Sequence, residues 1–304
     1  MVQYILQRLL YGVVVLFGVS IIVFYLIHLT GDPAALLVPL TTPEEDVELF
    51  RRQMGFDKPL PVQYALFMSR AVQGDFGYSY RHRTEALPLV FDRLPATLKL
   101  TAVAFVFALI VAVPVGVVAA LRPNSWLDNI ARAVTVLGQA VPGFWLGIML
   151  ILVFAVRLRW LPVSGAEGFR SLILPGITIG SFIMAAIARL LRSSLLEVLG
   201  ENYIRTAYAK GLKRWQVMLG HALPNALIPV VTISGLQIAF LLGGSIIAEA
   251  VFAYPGIGRL AFQSIATRDI PVIQAYVALV ATLTVVINLI IDITYTWLDP
   301  RVRL

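Results

Sequence analysis

The sequence predicts an all-α integral membrane protein with six transmembrane helices. Its apolar fraction is 59% and its charged fraction only 13%, whereas charged residues make up about a quarter of an ordinary soluble domain. Mean hydropathy is +0.84. Several apolar runs also reach the length of about 20 residues that a helix needs to cross a bilayer. Membrane insertion is therefore the starting hypothesis.

Six runs qualify as spans, and they cover residues 9–29, 98–121, 133–156, 172–191, 226–251 and 272–297. The first run is longer than the 7 to about 15 apolar residues of a signal peptide and has no small-residue cleavage site after it, so we expect a retained span. Prolines and glycines interrupt several runs, for example Pro142 and Gly143. Membrane helices tolerate such residues, which predicts ordinary kinks or, alternatively, a gating hinge.

Basic residues near the span ends predict the orientation. With the N-terminus inside, the inside segments hold eleven lysines and arginines and the short outside loops hold five. Because basic residues favour the cytoplasmic side, both termini are expected in the cytoplasm. This topology also explains the formal charge of +7 without a nucleic-acid partner.

The long connection 30–97 is expected to form a small helical subdomain outside the membrane. Thr42 followed by Glu45 resembles a helix N-terminus and Gly55 a helix end, so one helix is predicted near 43–54. A second amphipathic stretch covers 61–72. The subdomain is either a lid over the outer helix ends or a surface for a partner or substrate.

Composition and motifs exclude several kinds of chemistry. The chain has no cysteine and three scattered histidines, so we expect neither disulfides nor a metal site. It also lacks the glycine-rich phosphate loop that binds ATP. Two alternatives stay open, a proton-coupled carrier that uses acidic residues in the spans and an intramembrane hydrolase, although no hydrolase motif supports the second.

The connection 192–224 is predicted to leave the membrane on the cytoplasmic side with structure of its own. Asn202 is placed to cap a short helix that runs to Lys210, and Gly211 is placed to end it in the left-handed conformation. A second helix is expected over 212–222, with Pro224 at the return to the membrane. Small residues in the first helix leave room for another surface, although a solvated loop is the alternative.

This segment resembles the EAA loop of bacterial ABC importer permeases, whose pattern is Glu-Ala-Ala, three residues, Gly, nine residues and Ile-x-Leu-Pro. The matching positions are Arg205, Thr206, Ala207, Gly211, His221, Leu223 and Pro224. The spacing agrees throughout. Arg205, Thr206 and His221 depart from the usual residue types, so a contact that needs a glutamate at the first position is not carried over.

Further motifs make the chain similar to the peptide/nickel branch of these permeases, of the dipeptide permease B type. They are Gly31-Asp32-Pro33, Gly74-Asp75-Phe76-Gly77, Tyr254-Pro255-Gly256-Ile257-Gly258-Arg259 and Asp299-Pro300-Arg301. The resemblance implies a type I ABC importer permease fold in a prokaryotic plasma membrane. It divides the chain into a first span at 1–29, the outside subdomain 30–97 and a core permease domain 98–304.

The resemblance also implies partners and a coupling site. A short coupling helix near 202–210 would sit in a groove of one of two cytoplasmic ATPases, which hold ATP and Mg, while this chain holds no cofactor. A second related permease subunit and an extracytoplasmic binding protein would complete the importer. The residues implied in coupling are Asn202, Tyr203, Arg205, Thr206, Ala207, Lys210, Gly211, His221, Leu223 and Pro224.

Polar residues inside the spans are candidates for the transport pathway or for subunit seams, because charge at mid-bilayer costs about 2.5 to 3.5 kcal/mol on insertion scales. These residues are Gln139, Gln237, Glu249, Asn288 and Asp292. The expected cargo is a di- or oligopeptide, and nickel, glutathione and oligosaccharides remain alternatives. A proton-coupled carrier would use Glu249 and Asp292.

Overall fold

The structure is a computed structural model that describes residues 2–29, 34, 38 and 42–298, without the side chains of 2–5, 54, 242–244 and 294–298. The Gly31-Asp32-Pro33 and Asp299-Pro300-Arg301 motifs therefore lie outside the described residues. In chain order the helices and strands are α1 Val2–Leu29, α2 Glu44–Met54, α3 Leu60–Ala71, β1 Tyr78–Ser79, β2 Thr84–Glu85, α4 Ala86–Leu121, α5 Trp126–Ala140, α6 Gly143–Leu150, α7 Arg170–Gly200, α8 Asn202–Ala209, α9 Arg214–Val217, α10 Leu223–Gly244, α11 Ile246–Val251, α12 Ile257–Thr267 and α13 Ile270–Leu298.

Five helices in the described part of the chain are long and apolar enough to cross a membrane, and a sixth candidate is a bent pair. The first helix of the pair is α5, and the second is α6 with its π-helical continuation Ile151–Arg157. The chain bends by 104° between them. The predicted span 133–156 is therefore not one continuous helix. Val141 and Pro142 both have extended backbone at the break, which is more than an ordinary proline kink.

The chain divides into two compact units, one made of Met1–Thr97 with Pro255–Leu289 and the other of Leu98–Tyr254 with Ile290–Leu304. In the first unit, α3 packs on α1 through aromatic rings. The Tyr64 ring lies against Phe17 and Phe24, and its hydroxyl is 2.7 Å from the Ser20 hydroxyl. The predicted helices of the outside subdomain are present as α2 and α3, although Pro43, not Thr42, is the N-cap residue of α2 and no side chain caps the helix.

In the second unit, α4 and α7 approach closely because glycines lie where they meet. A Cβ atom on Gly180 would be 2.6 Å from the Ala104 carbonyl oxygen, and one on Gly116 would be 3.0 Å from the Ala188 carbonyl oxygen. Small residues let membrane helices approach until their backbones touch, which strengthens dispersion contacts that lipid cannot replace. The buried residues around this seam include Ile183, Ile187, Leu191 and Leu195, all of α7.

A buried ion pair joins α7 to the beginning of α5. The Asp128 carboxylate is fully buried and accepts hydrogen bonds from Arg192 Nε at 2.6 Å and Arg192 Nη2 at 2.8 Å. It also accepts bonds from the Asn124 backbone N–H at 2.9 Å and from Arg132. Four donors thus satisfy one carboxylate, which stabilises the charge in a place where an unpaired carboxylate would be strongly unfavourable. The two hydrogen bonds from Arg192 to Asp128 fix the position of α7 near Arg192.

We expect Gly180→Ala to lower the melting temperature of the detergent-purified protein. The added methyl group must displace the α4 backbone, and overpacking of this kind costs about 1 to 3 kcal/mol. Gly200→Ala is the matched control, because a Cβ atom at the end of the same helix meets nothing within 4 Å. Equal melting temperatures for the two variants would contradict the close packing of α4 on α7.

Asp128→Asn should destabilise the protein by about 3 kcal/mol, because it leaves Arg192 in a half-buried position without its carboxylate. Glu197→Gln removes an exposed carboxylate from α7, the helix of Arg192, and serves as the control. The thermal melting of both variants in detergent is the measurement. If Asp128→Asn has the same melting temperature as Glu197→Gln and the unmodified protein, the ion pair does not stabilise the position of α7.

Candidate functional site

The segment that follows α7 is the candidate site, and it emerges from α7 almost without a linker. Glu201 separates α7 from α8 and has extended backbone, with φ −69° and ψ 149°. A single extended residue turns the chain sharply while keeping the two helices adjacent. A displacement of the end of α7 is therefore transmitted directly to α8.

The helix α8 has one narrow buried edge and a broad exposed surface. Ile204 is 1% exposed and Ala207 is 7% exposed, and their i, i+3 spacing places both on one side of the helix. Both belong to the core that includes Leu195 and Val217. The exposed residues of α8 and its C-cap are Asn202, Tyr203, Arg205, Thr206, Tyr208, Ala209 and Lys210. The helix is thus anchored by two side chains and presents the others outward.

Two details of α8 differ from the sequence prediction. The N-cap residue is Glu201, not Asn202, and no side chain caps the helix. Asn202 is already the first residue of the helix, and its backbone carbonyl oxygen accepts a hydrogen bond of 3.1 Å from the Thr206 hydroxyl. Ala207 was expected to leave room for another surface, but its small side chain packs inward on its own chain. The outer surface is consequently formed by its larger neighbours.

Gly211 ends α8 in the left-handed conformation, as the sequence predicts. Its φ is +80°, and its N–H donates to the Tyr208 carbonyl oxygen at 2.9 Å. A Cβ atom at this position would meet nothing within 4 Å. The glycine is therefore required by backbone conformation and not by space.

The return to the next long helix begins later than predicted. The predicted helix 212–222 starts at Arg214, becomes π-helical over Met218–Ala222 and continues without a break into α10. Gln216 stabilises its beginning by accepting a bond of 2.9 Å from the Lys213 backbone N–H. Pro224 lies in the first turn of α10. A proline has no N–H to donate, and the wider π-helical turn directly precedes it.

The phenol of Tyr203 on α8 lies near the side chain of Asn225 on α10. Asn225 donates to the carbonyl oxygen of His221 at 2.7 Å. Burial of the ring and the neighbouring carboxylate of Glu201 raise the pKa of the Tyr203 phenol, although the nearby Asn225 side chain opposes the rise. The phenol is therefore neutral at physiological pH. Leu223 packs against the core, whereas His221 and Pro224 are exposed.

The surface around α8 is basic. Arg205 and Lys210 are exposed on α8 and its C-cap, and Lys213 and Arg214 are exposed at the start of α9. The Arg214 guanidinium lies 3.5 Å from the carbonyl oxygen of Leu121 at the end of α4, which holds α9 near that helix. Exposed tyrosines lie among these charges, with Tyr203 at 42% and Tyr208 at 44% exposure. Aromatic and basic side chains in this arrangement are typical of an interface with an acidic partner surface.

The polar residues predicted in the spans are distributed over several helices. Glu249 on α11 is fully buried and accepts a bond of 2.9 Å from the Ser245 hydroxyl. Gln237 on α10 and both Asn288 and Asp292 on α13 are partly buried. Gln139, at the end of α5, accepts a hydrogen bond from Arg189 of α7.

Neither the Asp128–Arg192 ion pair nor the Arg189–Gln139 hydrogen bond was predicted from the sequence. Asp128 and Arg192 are 64 residues apart, and no local motif indicates such a pair. The only available signal was the presence of charged residues at or near the ends of spans, where each must find a partner or water.

Comparisons with known proteins agree with this architecture. The model of the family described as "Binding-protein-dependent transport system inner membrane component" matches residues 112–304, and that of its N-terminal part matches residues 1–101. The chain is 44% identical over 304 residues to the "Glutathione transport system permease protein GsiC" of Escherichia coli K12 and of Shigella dysenteriae serotype 1, covering 100% of this chain and 99% of each relative.

Solved structures of ABC transporters share the fold. An inward-facing structure of the MetNI methionine ABC transporter is 22% identical, with a TM-score of 0.55 over 69% of this chain and 96% of that chain. An amino acid ABC transporter structure is 16% identical, with a TM-score of 0.54 over 69% and 94%. These likenesses support the fold of a type I importer permease. Together with the family models they show that the chain belongs to the binding-protein-dependent transport system inner membrane components, the permease subunits of ABC importers.

Proposed function

We propose that this permease subunit imports glutathione or short peptides that an extracytoplasmic binding protein delivers. The support is full-length similarity, at 44% identity, to a permease named for glutathione transport. Glutathione is itself a tripeptide with free carboxylates, so it belongs to the same chemical class as the di- and oligopeptides expected from the sequence motifs. Nickel chelates and oligosaccharides are the competing cargoes.

We further propose that α8 is the coupling helix that docks in a groove of a partner ATPase. This proposal rests on the two faces of α8. Ile204 and Ala207 anchor one face to the rest of the chain, and the other side chains of the helix are exposed. A helix anchored along one narrow edge to its own chain can carry force without being buried in it. The exposed tyrosines offer rigid contact area and the exposed arginine and lysines suit acidic groups on the ATPase.

The remaining assembly follows from the family and from the charge distribution. ATP and Mg would bind to two ATPase subunits, and a second related permease would complete the pathway, since six spans are few for an importer of this kind. In this arrangement both termini and α8 lie on the cytoplasmic side of a prokaryotic plasma membrane. Nucleotide-driven closure of the ATPases would then move α7 through α8.

The cargo is tested by ATPase activity of the complete complex in proteoliposomes, with the binding protein present. We expect glutathione or short peptides to stimulate ATP hydrolysis and to be transported across the proteoliposome membrane as ATP is hydrolysed. Nickel chelates and neutral oligosaccharides should neither stimulate hydrolysis nor be transported. If a nickel chelate or a neutral oligosaccharide stimulates ATP hydrolysis and glutathione and peptides do not, the cargo assignment is refuted. Uptake that persists with catalytically inactive ATPases would point to a secondary carrier.

The docking surface is tested by Tyr208→Ala. Loss of an interfacial aromatic residue costs about 2 kcal/mol, roughly 30-fold in affinity, so we expect weaker binding of the ATPase subunits and less transport per ATP hydrolysed. Trp126→Ala removes an exposed aromatic residue outside the coupling segment and should behave as the unmodified protein. Unchanged ATPase binding in Tyr208→Ala would exclude this face of α8 from the interface.

A further inference from the structure

An arginine within a predicted span points toward the interior of the membrane. Arg189 of α7 donates a hydrogen bond to the side-chain oxygen of Gln139 on α5. The neighbouring Gly138 lies against α7 about one to two turns earlier, since a Cβ atom there would be 3.1 Å from the Ala185 Cβ and 3.2 Å from the Ser181 carbonyl oxygen. The guanidinium is therefore directed back along α7, away from the end that leads to α8.

This direction is opposite to the usual behaviour of arginine in a membrane helix. Arginine side chains near a span end extend to the closest aqueous interface, because a guanidinium in hydrocarbon is costly. Arg189 is about 16 Å along α7 from the C-terminal end of that helix, at 1.5 Å per residue, and its charged group turns further inward. A polar, water-accessible environment on this face of the helices would stabilise the charge at that position, and the Arg189 side chain is exposed.

The charge of Arg189 is also not neutralised by a described residue. Arg132 and Arg192 share the Asp128 carboxylate, whereas the described ion pairs include none to Arg189, whose described partner is the neutral Gln139. A guanidinium has five N–H donors, and the side-chain oxygen of one glutamine cannot satisfy them. The remaining donors are available for an anion.

A cavity of about 380 Å³ lies beside this group and is lined by Arg132, Arg189 and Arg192. No carboxylate lines it, and its walls include the small residues Gly116 and Ala188. Pockets for small molecules typically measure about 300 to 1,000 Å³, so the space suits part of a short peptide. Arg132 and Arg192 share the one negative charge of Asp128, so the three arginines still leave an excess of positive charge beside this volume.

We propose that Arg189 binds a carboxylate of the cargo during its passage through the permease. The inference rests on the proposed function, because glutathione and peptides carry a free carboxylate and neutral oligosaccharides do not. Arginine binds carboxylates through two parallel N–H···O bonds, and Arg189 lines the cavity while Gln139 accepts one hydrogen bond from its guanidinium. Arg189 is thus a specificity-determining residue, which selects cargo with a negative group.

The test is equilibrium binding of labelled glutathione to the detergent-purified complex of both permeases and both ATPases, without the binding protein. We expect Arg189→Gln to weaken binding by about tenfold or more, because a charged hydrogen bond is lost, and Arg189→Lys to restore part of it. Gln139→Glu gives Arg189 an internal carboxylate and should weaken binding as much as Arg189→Gln. Arg122→Gln, at an exposed position in the α4–α5 connection, is the control and should bind normally.

Equal affinity of the unmodified complex and Arg189→Gln overturns the inference, and so does an unmodified complex that shows no saturable binding. If Arg189→Gln separates the two permeases on size exclusion, the arginine pairs with a carboxylate of the second subunit and not with cargo. These outcomes leave the proposed function standing if glutathione still stimulates ATP hydrolysis in proteoliposomes. Failure of that stimulation in the unmodified complex refutes the proposed function itself.

Discussion

The arrangement of the second unit depends on how α7 is held. Near its beginning it packs on α4 through Gly180, close enough that a single methyl group would strike backbone. Near its end, Arg192 binds the buried Asp128 carboxylate of α5 with two hydrogen bonds. The helix has 31 residues and is thus held to its neighbours at two separate points along its length. Since α8 follows after a single residue, its position is set by the same contacts.

Much of this fold could be predicted from the sequence, because membrane insertion imposes simple rules on length and composition. The long apolar helices overlap the predicted runs, although α4 begins at Ala86 and not near 98, and α7 continues to Gly200. Gly211 ends α8 because few other residues adopt a φ of +80°. The break between α5 and α6 was not predictable in this way. Hydropathy reports whether a segment prefers lipid but contains no information about its direction, so a pair bent by 104° gives the same signal as a straight span.

The candidate site was predicted with similar limits. Spacing along the chain located α8 and its glycine, since both depend on local backbone preferences. Which side of α8 faces inward depends on contacts with residues far along the chain, and Ala207 was therefore assigned to the wrong surface. The Asp128–Arg192 pair and the Arg189–Gln139 bond connect residues 64 and 50 positions apart, and nothing in either local sequence specifies the partner.

The central claim is that the outward face of α8 contacts an ATPase, and the absence of cysteine from the chain allows a direct measurement. A single cysteine at Tyr208, carrying a thiol-specific photo-crosslinker, should form a product with the ATPase subunit in the assembled complex. The same label at Trp126, an exposed residue of α5, should not. A crosslink to the ATPase from Trp126 and none from Tyr208 would contradict the assignment of α8 as the coupling helix.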